Sequence, residues 1–355
     1  MNITEEYMSV ANLFALEGTP QDVRPYGEGH INKTMLVTTD KKRYILQKMN
    51  TNVFPDSAGL MANIVYVTQM LRSEGVETLE VVPTKDGKWY LSTEQGNYRV
   101  YKFIENTVTF QTVTDKKVFY NSGRAFGAFQ NYLAEFDASV LTEVIPHFHD
   151  TPKRMRDFAE VLARDEFDLA KTCREEIDFV LAHKDEVHKV VDGLANGTIP
   201  LRVTHNDTKL NNILMDAVTH EARAVIDLDT IMPGSMLYDF GDSIRFGAST
   251  AAEDEKNLDK VHFDIDSFEA YATGFVGEVK NSITPAEAEL LGYSAFLMTF
   301  ECRTRFLTDY LDGSKYFGTK YPAHNLVRCR TQFKLCAEQI ASFDKMAEIV
   351  KKILK

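Results

Sequence analysis

The spacing of apolar residues changes near residue 105, and this change constrains the fold more than any other feature of the sequence. Residues 22–48 read as strands separated by turns, because apolar and polar residues alternate along them. Residues 55–74 have the length and composition of a helix that Gly75 ends, and residues 76–104 read as further strands. This part of the chain therefore predicts a sheet of about five strands with one inserted helix.

After residue 105 the apolar residues recur at helical spacing. Those between residues 118 and 133 fall on one broad helix face, and residues 152–192 predict two charged amphipathic helices. Thr284 and Glu287 form a capping box with a proline at the first helical position. This box predicts a long helix that runs towards Tyr310.

Short strands interrupt these helices in one region only. They are predicted at residues 201–204, 211–215 and 224–228. We therefore predict an α+β fold with a small β-rich N-lobe, residues 1–104, and a larger helical C-lobe, residues 105–355. No repeat or low-complexity linker separates them, so the boundary is expected to be a hinge between packed lobes.

The loop between the first two short strands carries polar residues in the pattern HxDxxxxN. Its histidine, aspartate and asparagine are His205, Asp207 and Asn212. In phosphoryl transfer an aspartate in such a loop accepts the proton of the attacking hydroxyl, and the asparagine binds a metal. Asp227 ends the next apolar strand, where its carboxylate is able to reach the same Mg²⁺.

The alternative is that these polar side chains only cap the loop, as Asp and Asn commonly do. The order of the features favours phosphoryl transfer, because a β-rich lobe precedes the loop and a strand ending in aspartate follows it. We then expect His205 to brace the loop and Lys209 to face the transferring phosphate. Asp239 and Asp242 are expected to buttress the loop from behind.

The composition excludes several other classes of protein. The formal net charge of −12 argues against nucleic acid or an anionic membrane as a partner, since both attract basic surfaces. The four cysteines form no CxxC pair, so neither a disulfide scaffold nor a zinc site is indicated. No signal peptide or membrane-spanning apolar run is recognisable, and a cytoplasmic protein is expected.

The sequence resembles the family of aminoglycoside phosphotransferases and choline kinases, which share a bilobal protein-kinase-like fold. The similar segments are HNDTKLNN, which resembles the family's catalytic loop, and IDLDTIMPGSMLYDFGD, which resembles its metal-binding segment. Further runs resemble the family members that phosphorylate N-acetylhexosamines. These runs are RAFGAFQNYL, IPHFHDTPKR, DFGDSIRFGA and RFLTDYLDGSKYF, and the resemblance extends from residue 25 to residue 335.

The resemblance implies Mg²⁺-dependent transfer of phosphate from ATP to the anomeric hydroxyl of N-acetylglucosamine or N-acetylgalactosamine. Asp207 would be the catalytic base. Asn212 and Asp227 would hold Mg²⁺, and Asp229 would assist through a second metal or a water molecule. We expect a monomer whose ligands are ATP and a small sugar, with no nucleic acid or membrane partner.

The N-lobe should supply the nucleotide site. The residues predicted to bind nucleotide are Gly27, Gly29, Thr34, Lys48 and Ile104. A plain turn at the two glycines and a solvent-facing lysine are the alternative interpretations. The helix after Lys48 departs from the family pattern, because residues 55–73 contain no glutamate and Asp56 is their only acid. Either Asp56 pairs with Lys48, or phosphate alone positions it.

The acceptor site is also predicted from the resemblance. Its residues are His30, Asp207, Phe246, Arg305 and Tyr316. As alternatives, Phe246 would belong to the core, and Arg305 would pair with Asp309 one helical turn away. The remaining rival functions are a kinase for choline, an aminoglycoside, homoserine or another sugar, and a non-catalytic nucleotide-binding protein. A protein kinase is disfavoured because no activation loop follows Asp227.

Overall fold

The computed structural model describes residues 3–27, 31–113 and 115–355. In the N-lobe the elements are α1 (Ile3–Ala11), β1 (Pro20–Pro25), β2 (Lys33–Thr39), β3 (Arg43–Lys48), α2 (Ser57–Ser73), β4 (Val81–Val82), β5 (Leu91–Thr93) and β6 (Gly96–Lys102).

The C-lobe begins with β7 (Thr107–Val108), α3 (Lys116–Tyr132), α4 (Thr151–Arg164), α5 (Arg174–Ala182) and α6 (Lys189–Asn196). Its central strands are β8 (Arg202–Thr204), β9 (Ile213–Asp216), β10 (Ala222–Val225) and β11 (Met232–Gly234). The remaining helices are α7 (Met236–Gly247), α8 (Ile265–Val279), α9 (Pro285–Leu311), α10 (His324–Ala341) and α11 (Phe343–Leu354).

The N-lobe is an antiparallel sheet in the order β1-β2-β3-β6-β4, with β5 also paired to β6. The fold class predicted from the sequence is confirmed, with a sixth strand beyond the five expected. The helix α1 was not predicted. It covers one face of the sheet, where Tyr7 and Val10 of α1, and Phe14 just after it, pack against apolar strand residues. Those strand residues are Val23, Met35, Val37, Tyr44, Leu46, Val82, Tyr98 and Val100.

The opposite face of the sheet, here called the cleft face, turns towards the C-lobe. It carries Thr34, Gln47 and Arg99, which are aligned across β2, β3 and β6 by the strand register. Because successive side chains in a strand point to opposite faces, these residues alternate with the ones that contact α1.

The inserted helix α2 packs into the same apolar core as the C-lobe. Asn63 of this helix donates hydrogen bonds to the carbonyl oxygens of Thr142, at 2.7 Å, and Ile231, at 2.9 Å. It also accepts one from the Thr142 N–H at 2.8 Å. Although α2 lies between strands of the N-lobe sheet in sequence, it is therefore attached to the C-lobe.

In the C-lobe, residues 152–192 form parts of three helices where the sequence predicted two. The helix α4 ends at Asp165, whose φ of 36° lies in the left-handed region and stops the helix. The predicted long helix is confirmed as α9, and the capping box at Thr284 and Glu287 is formed in both directions.

The connection between the lobes is short. The sheet ends at Lys102, and β7 pairs with β9 of the C-lobe. The predicted boundary between residues 104 and 105 falls in this connection. Within the described ranges, no helix combines the length and the apolar character that crossing a membrane requires.

Candidate active site

The HxDxxxxN loop is braced by its histidine, as predicted. His205 is fully buried, and its Nε2 lies 2.9 Å from the carbonyl oxygen of Ile226, the residue before Asp227. Its Nδ1 accepts the N–H of Asp207 at 3.3 Å, which assigns the proton to Nε2. Through this ring the loop and the segment that carries Asp227 are held in fixed relation.

Asp239 of α7 supports the same loop from behind, also as predicted. Its carboxylate accepts the backbone N–H groups of His205, at 3.0 Å, and Asn206, at 2.8 Å, and the side-chain amide of Gln130 at 2.7 Å. Asn206 has a φ of 66°, a left-handed conformation that these bonds stabilise. Burial raises the pKa of Asp239, and the donated hydrogen bonds oppose that shift.

Asp207 itself stays partly open to solvent, with 27% of its side chain exposed. The Asn212 amide nitrogen donates to its backbone carbonyl at 2.8 Å and to its Oδ2 at 3.2 Å. The Lys209 Nζ lies 2.8 Å from its Oδ1. Burial alone would lower the pKa of Lys209, but the Asp207 carboxylate more than offsets this and raises it. Lys209 is therefore charged beside the carboxylate.

Asp227 follows β10 in a left-handed conformation with a φ of 59°. Its carboxylate accepts no hydrogen bond and forms no ion pair with any residue in the described ranges. It faces solvent, yet it is surrounded by protein on most sides. The resulting desolvation, and then the charges of Asp229 and Asp207, raise the pKa of Asp227 to about 6. An unneutralised carboxylate in this position suits a bound cation.

The residues present fit Mg²⁺, which prefers oxygen ligands. The Oδ1 of Asn212 has no partner among the described residues, since its amide nitrogen makes the contacts with Asp207. The described residues contain no group of three or more His, Cys, Asp or Glu able to hold a metal. The donors are thus Asn212 and Asp227, and Mg²⁺ commonly takes one or two carboxylates and completes its shell with phosphate and water.

Asp229 makes different contacts from those predicted. It is buried, and its Oδ1 lies 2.5 Å from Nη1 of Arg99 on the cleft face of the sheet. Its Oδ2 accepts the side-chain amide of Asn32 at 2.6 Å. Both oxygens of Asp229 are therefore engaged by residues of the N-lobe, Arg99 and Asn32. The role of Asp229 as a metal ligand stays a prediction.

Lys48 requires a correction, because it lies on the face of the sheet that packs against α1. Its Nζ is 3.0 Å from Glu6 Oε1, and it lies over the ring of Tyr98, whose hydroxyl also donates to Glu6. The adjacent residue Gln47 occupies the cleft face instead. Alternation along β3 therefore directs the lysine away from the predicted nucleotide site. Asp56 does not pair with it either, since it caps α2 through the Gly59 N–H.

The other residues predicted to bind nucleotide are placed as follows. Thr34 lies on the cleft face and accepts a hydrogen bond from Gln47 at 3.0 Å. Ile104 lies in the connection between the lobes, and its carbonyl accepts the Thr107 hydroxyl at 3.0 Å. Gly27 follows β1 with a φ of 76°. Gly29 and the predicted acceptor residue His30 lie outside the described residues.

A cavity of about 340 Å³ lies beside the HxDxxxxN loop and is lined by Lys209, Arg245, Phe246, Glu253 and Gln332, among others. The predicted acceptor residue Phe246 is thus half-buried at the wall of this cavity. Arg245 was not predicted. Its guanidinium pairs with Asp242 at 2.9 Å and with Glu253 at 3.0 Å.

Arg305 of α9 does not form the predicted alternative pair with Asp309. Asp309 instead accepts the backbone N–H groups of Tyr316, at 2.8 Å, and Phe317, at 3.0 Å, and so holds the loop after α9. The Arg305 guanidinium lies 5.9 Å from the ring of Tyr316 and 5.4 Å from that of Phe317. It has no hydrogen bond or ion pair within the part of the chain that the structure describes. Tyr316 is 74% exposed above it.

Sequence patterns alone did not identify four residues near the site, Asn32, Gln47, Arg99 and Arg245. Each is a polar residue within or beside an apolar run, and the pattern of strand or helix does not reveal its partner. The available signal was the alternation along β3 and β6, which places Gln47 and Arg99 on opposite faces from Lys48 and Tyr98.

Comparison with known proteins shows which sequence family and which solved structures this chain resembles. The sequence model of the phosphotransferase enzyme family (APH) matches residues 22–271. That span contains the catalytic loop, Asp227, Asp229 and the cleft face of the sheet.

Solved structures with the same fold align over nearly all of the chain. An aminopropanol kinase associated with a microcompartment has 15% sequence identity and a TM-score of 0.63, and the alignment covers 97% of this chain and 98% of that one. A choline kinase from Cryptosporidium parvum has 11% identity and a TM-score of 0.58, with 99% of each chain covered. A spectinomycin phosphotransferase, solved with ADP and spectinomycin, has 14% identity and a TM-score of 0.54, with 99% of each chain covered. At these identities the similarity concerns the fold.

Proposed function

The chain belongs to the phosphotransferase enzyme family (APH), and from this premise we propose that it is an ATP-dependent small-molecule kinase. More specifically, we propose an N-acetylhexosamine 1-kinase, which transfers phosphate from ATP to the anomeric hydroxyl of N-acetylglucosamine or N-acetylgalactosamine. The observation that carries the proposal is the Asp227 carboxylate beside Asp207, which has no partner among the described residues, next to a cavity whose charged side chains are each paired with a group of opposite charge.

In the proposed reaction Asp207 accepts the proton of the acceptor hydroxyl as that oxygen attacks the γ-phosphorus. The bond from the γ-phosphorus to the β,γ-bridging oxygen breaks, and ADP leaves with the electron pair. Lys209 lies 2.8 Å from Asp207 and carries a positive charge towards the transferring phosphate. Mg²⁺, when bound, would neutralise charge on the phosphates of ATP. Asn212 and Asp227 would hold it, because Oδ1 of Asn212 and the carboxylate of Asp227 have no other partner among the described residues.

The nucleotide is proposed to lie between the cleft face of the sheet and the catalytic loop. Of the residues predicted to bind nucleotide, Thr34 lies on that face. The backbone of Ile104 would contact the adenine base of ATP. The Ile104 N–H forms no hydrogen bond within the described residues, which leaves it available to a ring nitrogen. The spectinomycin phosphotransferase of similar fold, which was solved with ADP, supports a nucleotide as the donor.

The cavity favours a neutral acceptor over a cationic one. Arg245 is paired with Asp242 and Glu253, and Lys209 is paired with Asp207, so each of these charged groups already has a partner of opposite sign. A quaternary ammonium such as that of choline is recognised by a cage of several aromatic side chains, and Phe246 is the one aromatic side chain in the described lining. A volume of about 340 Å³ is near the lower end of small-molecule sites, roughly 300–1,000 Å³, and favours a single sugar ring.

The decisive experiment is phosphorus NMR of the product formed from ATP, Mg²⁺ and N-acetylglucosamine. A signal coupled to the anomeric proton is expected. The same assay over N-acetylgalactosamine, glucose, choline, homoserine and an aminoglycoside defines the acceptor range. Phosphate on the 6-oxygen, or turnover with choline or the aminoglycoside alone, would refute the sugar 1-kinase proposal and leave the family assignment standing.

A further inference from the structure

Arg99 projects from the cleft face of the N-lobe sheet and forms an ion pair with Asp229 of the C-lobe. The two charged groups are 2.5 Å apart, and only 2% and 5% of their side chains are exposed. Gln47 on the adjacent strand accepts from Nε of Arg99 at 3.0 Å and from Nη2 at 2.8 Å. The guanidinium is therefore fixed to the sheet on one side and presented to Asp229 on the other.

Asp229 belongs to the short turn that also positions Asp227. Thr230 of this turn donates its hydroxyl to the carbonyl of His205 at 2.7 Å, and Asn206 donates to the Thr230 carbonyl at 2.8 Å. The turn is thus held between the catalytic loop and the N-lobe. The carboxylate of Asp227 has no partner of its own in the described ranges, so its direction depends on this backbone.

The contact also has an electrostatic consequence. Asp227 and Asp229 are neighbouring carboxylates whose negative charges repel each other. Asp229 forms an ion pair with Arg99 and accepts a hydrogen bond from Asn32. Of the two carboxylates, Asp227 is therefore the one without a charged partner in the described ranges. Lys48 does not serve this purpose, because it pairs with Glu6 on the opposite face of the sheet.

We propose that Arg99 is a positioning residue for phosphoryl transfer. By holding Asp229 it fixes the turn of residues 227–230 and directs the Asp227 carboxylate towards Asn212 and Asp207. Metal-dependent nucleotide binding in the C-lobe then depends on the position of the N-lobe sheet. The inference rests on the proposed kinase function but not on the identity of the acceptor.

The test is calorimetric binding of ADP over a titration of Mg²⁺, together with turnover on the acceptor that the wild-type enzyme uses. The variants are Asp229→Asn, Arg99→Met and Arg99→Lys. The matched control is Glu6→Gln, which breaks the ion pair on the other face of the same sheet. For Arg99→Met we expect the Mg²⁺ concentration at half-maximal ADP binding to rise roughly 10- to 100-fold, as for other residues that orient metal ligands.

Neither arginine nor lysine ligates a cation. An effect of Arg99→Lys on Mg²⁺ dependence therefore reports on the positioning of the metal ligands and not on the loss of a ligand. We expect an intermediate effect, since an ammonium cannot contact Gln47 and Asp229 with the geometry of the planar guanidinium. Glu6→Gln should leave the Mg²⁺ dependence unchanged.

Unchanged Mg²⁺ dependence in folded Arg99→Lys and Asp229→Asn proteins would overturn the proposal, even if both were less stable. Should Arg99→Met fail to fold, those two variants decide the question. Absence of ATP-dependent turnover by the wild-type protein with every acceptor would refute the kinase function itself. A wrong acceptor sugar would not change how ADP binding depends on Mg²⁺ in the wild-type protein or in the variants.

Discussion

Asp207 combines a fixed backbone with a partly open carboxylate, held by Asn212 and Lys209. We expect Asp207→Asn to keep Mg²⁺-dependent ADP binding and to lose about 10²- to 10⁴-fold in kcat, because a general base contributes that much. Calorimetry measures the ADP binding, and a coupled ADP-release assay measures kcat. Turnover near the wild-type value in the folded variant would remove Asp207 from its proposed role.

The guanidinium of Arg305 lies beside the rings of Phe317 and the exposed Tyr316, and it forms no ion pair with the described residues. We expect Arg305→Ala to raise KM for the sugar by about 10- to 150-fold, since a charged hydrogen bond contributes roughly 1.5–3 kcal/mol. KM for ATP should change little. Arg305→Lys should restore only part of the affinity, because a point charge does not reproduce the planar fork. Equal changes in both KM values would contradict an acceptor role.

Because of Asp227, we expect the stability of the metal-free protein to depend on pH. The pKa of Asp227 is raised to about 6, so its ionisation opposes folding. A carboxyl with a raised folded-state pKa contributes most stability below its unfolded pKa and loses it as the pH rises through the folded value. Without Mg²⁺, Asp227→Asn should therefore melt at a higher temperature than the wild-type protein at about pH 7.5, with the difference shrinking from about pH 6 towards about pH 4.

Thermal melts across this range give the measurement, and Mg²⁺ with ADP is the control. The ligands should stabilise the wild-type protein and not the variant, because Asn at 227 removes the charge that the metal needs. A variant that melts below the wild-type protein at neutral pH without metal would show that the Asp227 charge is not a source of strain.

The alternation along β3 decides which of two adjacent residues serves the nucleotide site. Lys48 contacts Glu6 and Tyr98 under α1, and Gln47 contacts Arg99 on the cleft face. We expect Lys48→Met to lower stability by roughly 1–2 kcal/mol and to change KM for ATP by less than about threefold. Gln47→Met should reduce kcat more strongly, because it releases Arg99.

Steady-state kinetics and chemical denaturation of the two variants provide the comparison. A loss of more than about 100-fold in kcat/KM for ATP in folded Lys48→Met would contradict the observed face of the strand, since a lysine bound to phosphate contributes on that order. The original sequence-based assignment of Lys48 would then be correct.

The two lobes are expected to unfold together. The helix α2 lies within the N-lobe sequence but packs into the C-lobe core, and Asn63 bonds to both Thr142 and Ile231. The buried Arg99–Asp229 pair joins the lobes a second time. Loss of either contact exposes apolar surface or an unpaired charge, so neither lobe is stable when the other has unfolded.

Trp89 is the single tryptophan and lies in the N-lobe, whereas most helical residues lie in the C-lobe. Thermal unfolding followed by tryptophan fluorescence and by far-ultraviolet circular dichroism should give coincident transitions. The control is the same pair of curves with Mg²⁺ and ADP, which should move together to higher temperature. Two separate midpoints would show that the lobes are independent folding units.

The amino-acid sequence by itself determined the features that depend on local spacing. His205, Asp207 and Asn212 lie within one loop, so their pattern was sufficient to predict phosphoryl transfer and the role of His205 in bracing it. The strands of the N-lobe and the capped helix α9 followed from periodicity and from the Thr284 capping box. Such signals are readable because the interacting residues are close in sequence.

Only the tertiary structure decided which residues meet across the lobes. Period-two alternation shows that Lys48 and Gln47 face opposite sides, but not which side α1 covers, and α1 itself was not predicted. Asp229 bonds to Asn32, which is 197 residues away, and Asp309 holds the backbone of Tyr316 where a helical pair with Arg305 was the local alternative. A buried charge takes the partner that packing brings to it, because desolvation makes an unpaired charge costly whatever its neighbours in sequence.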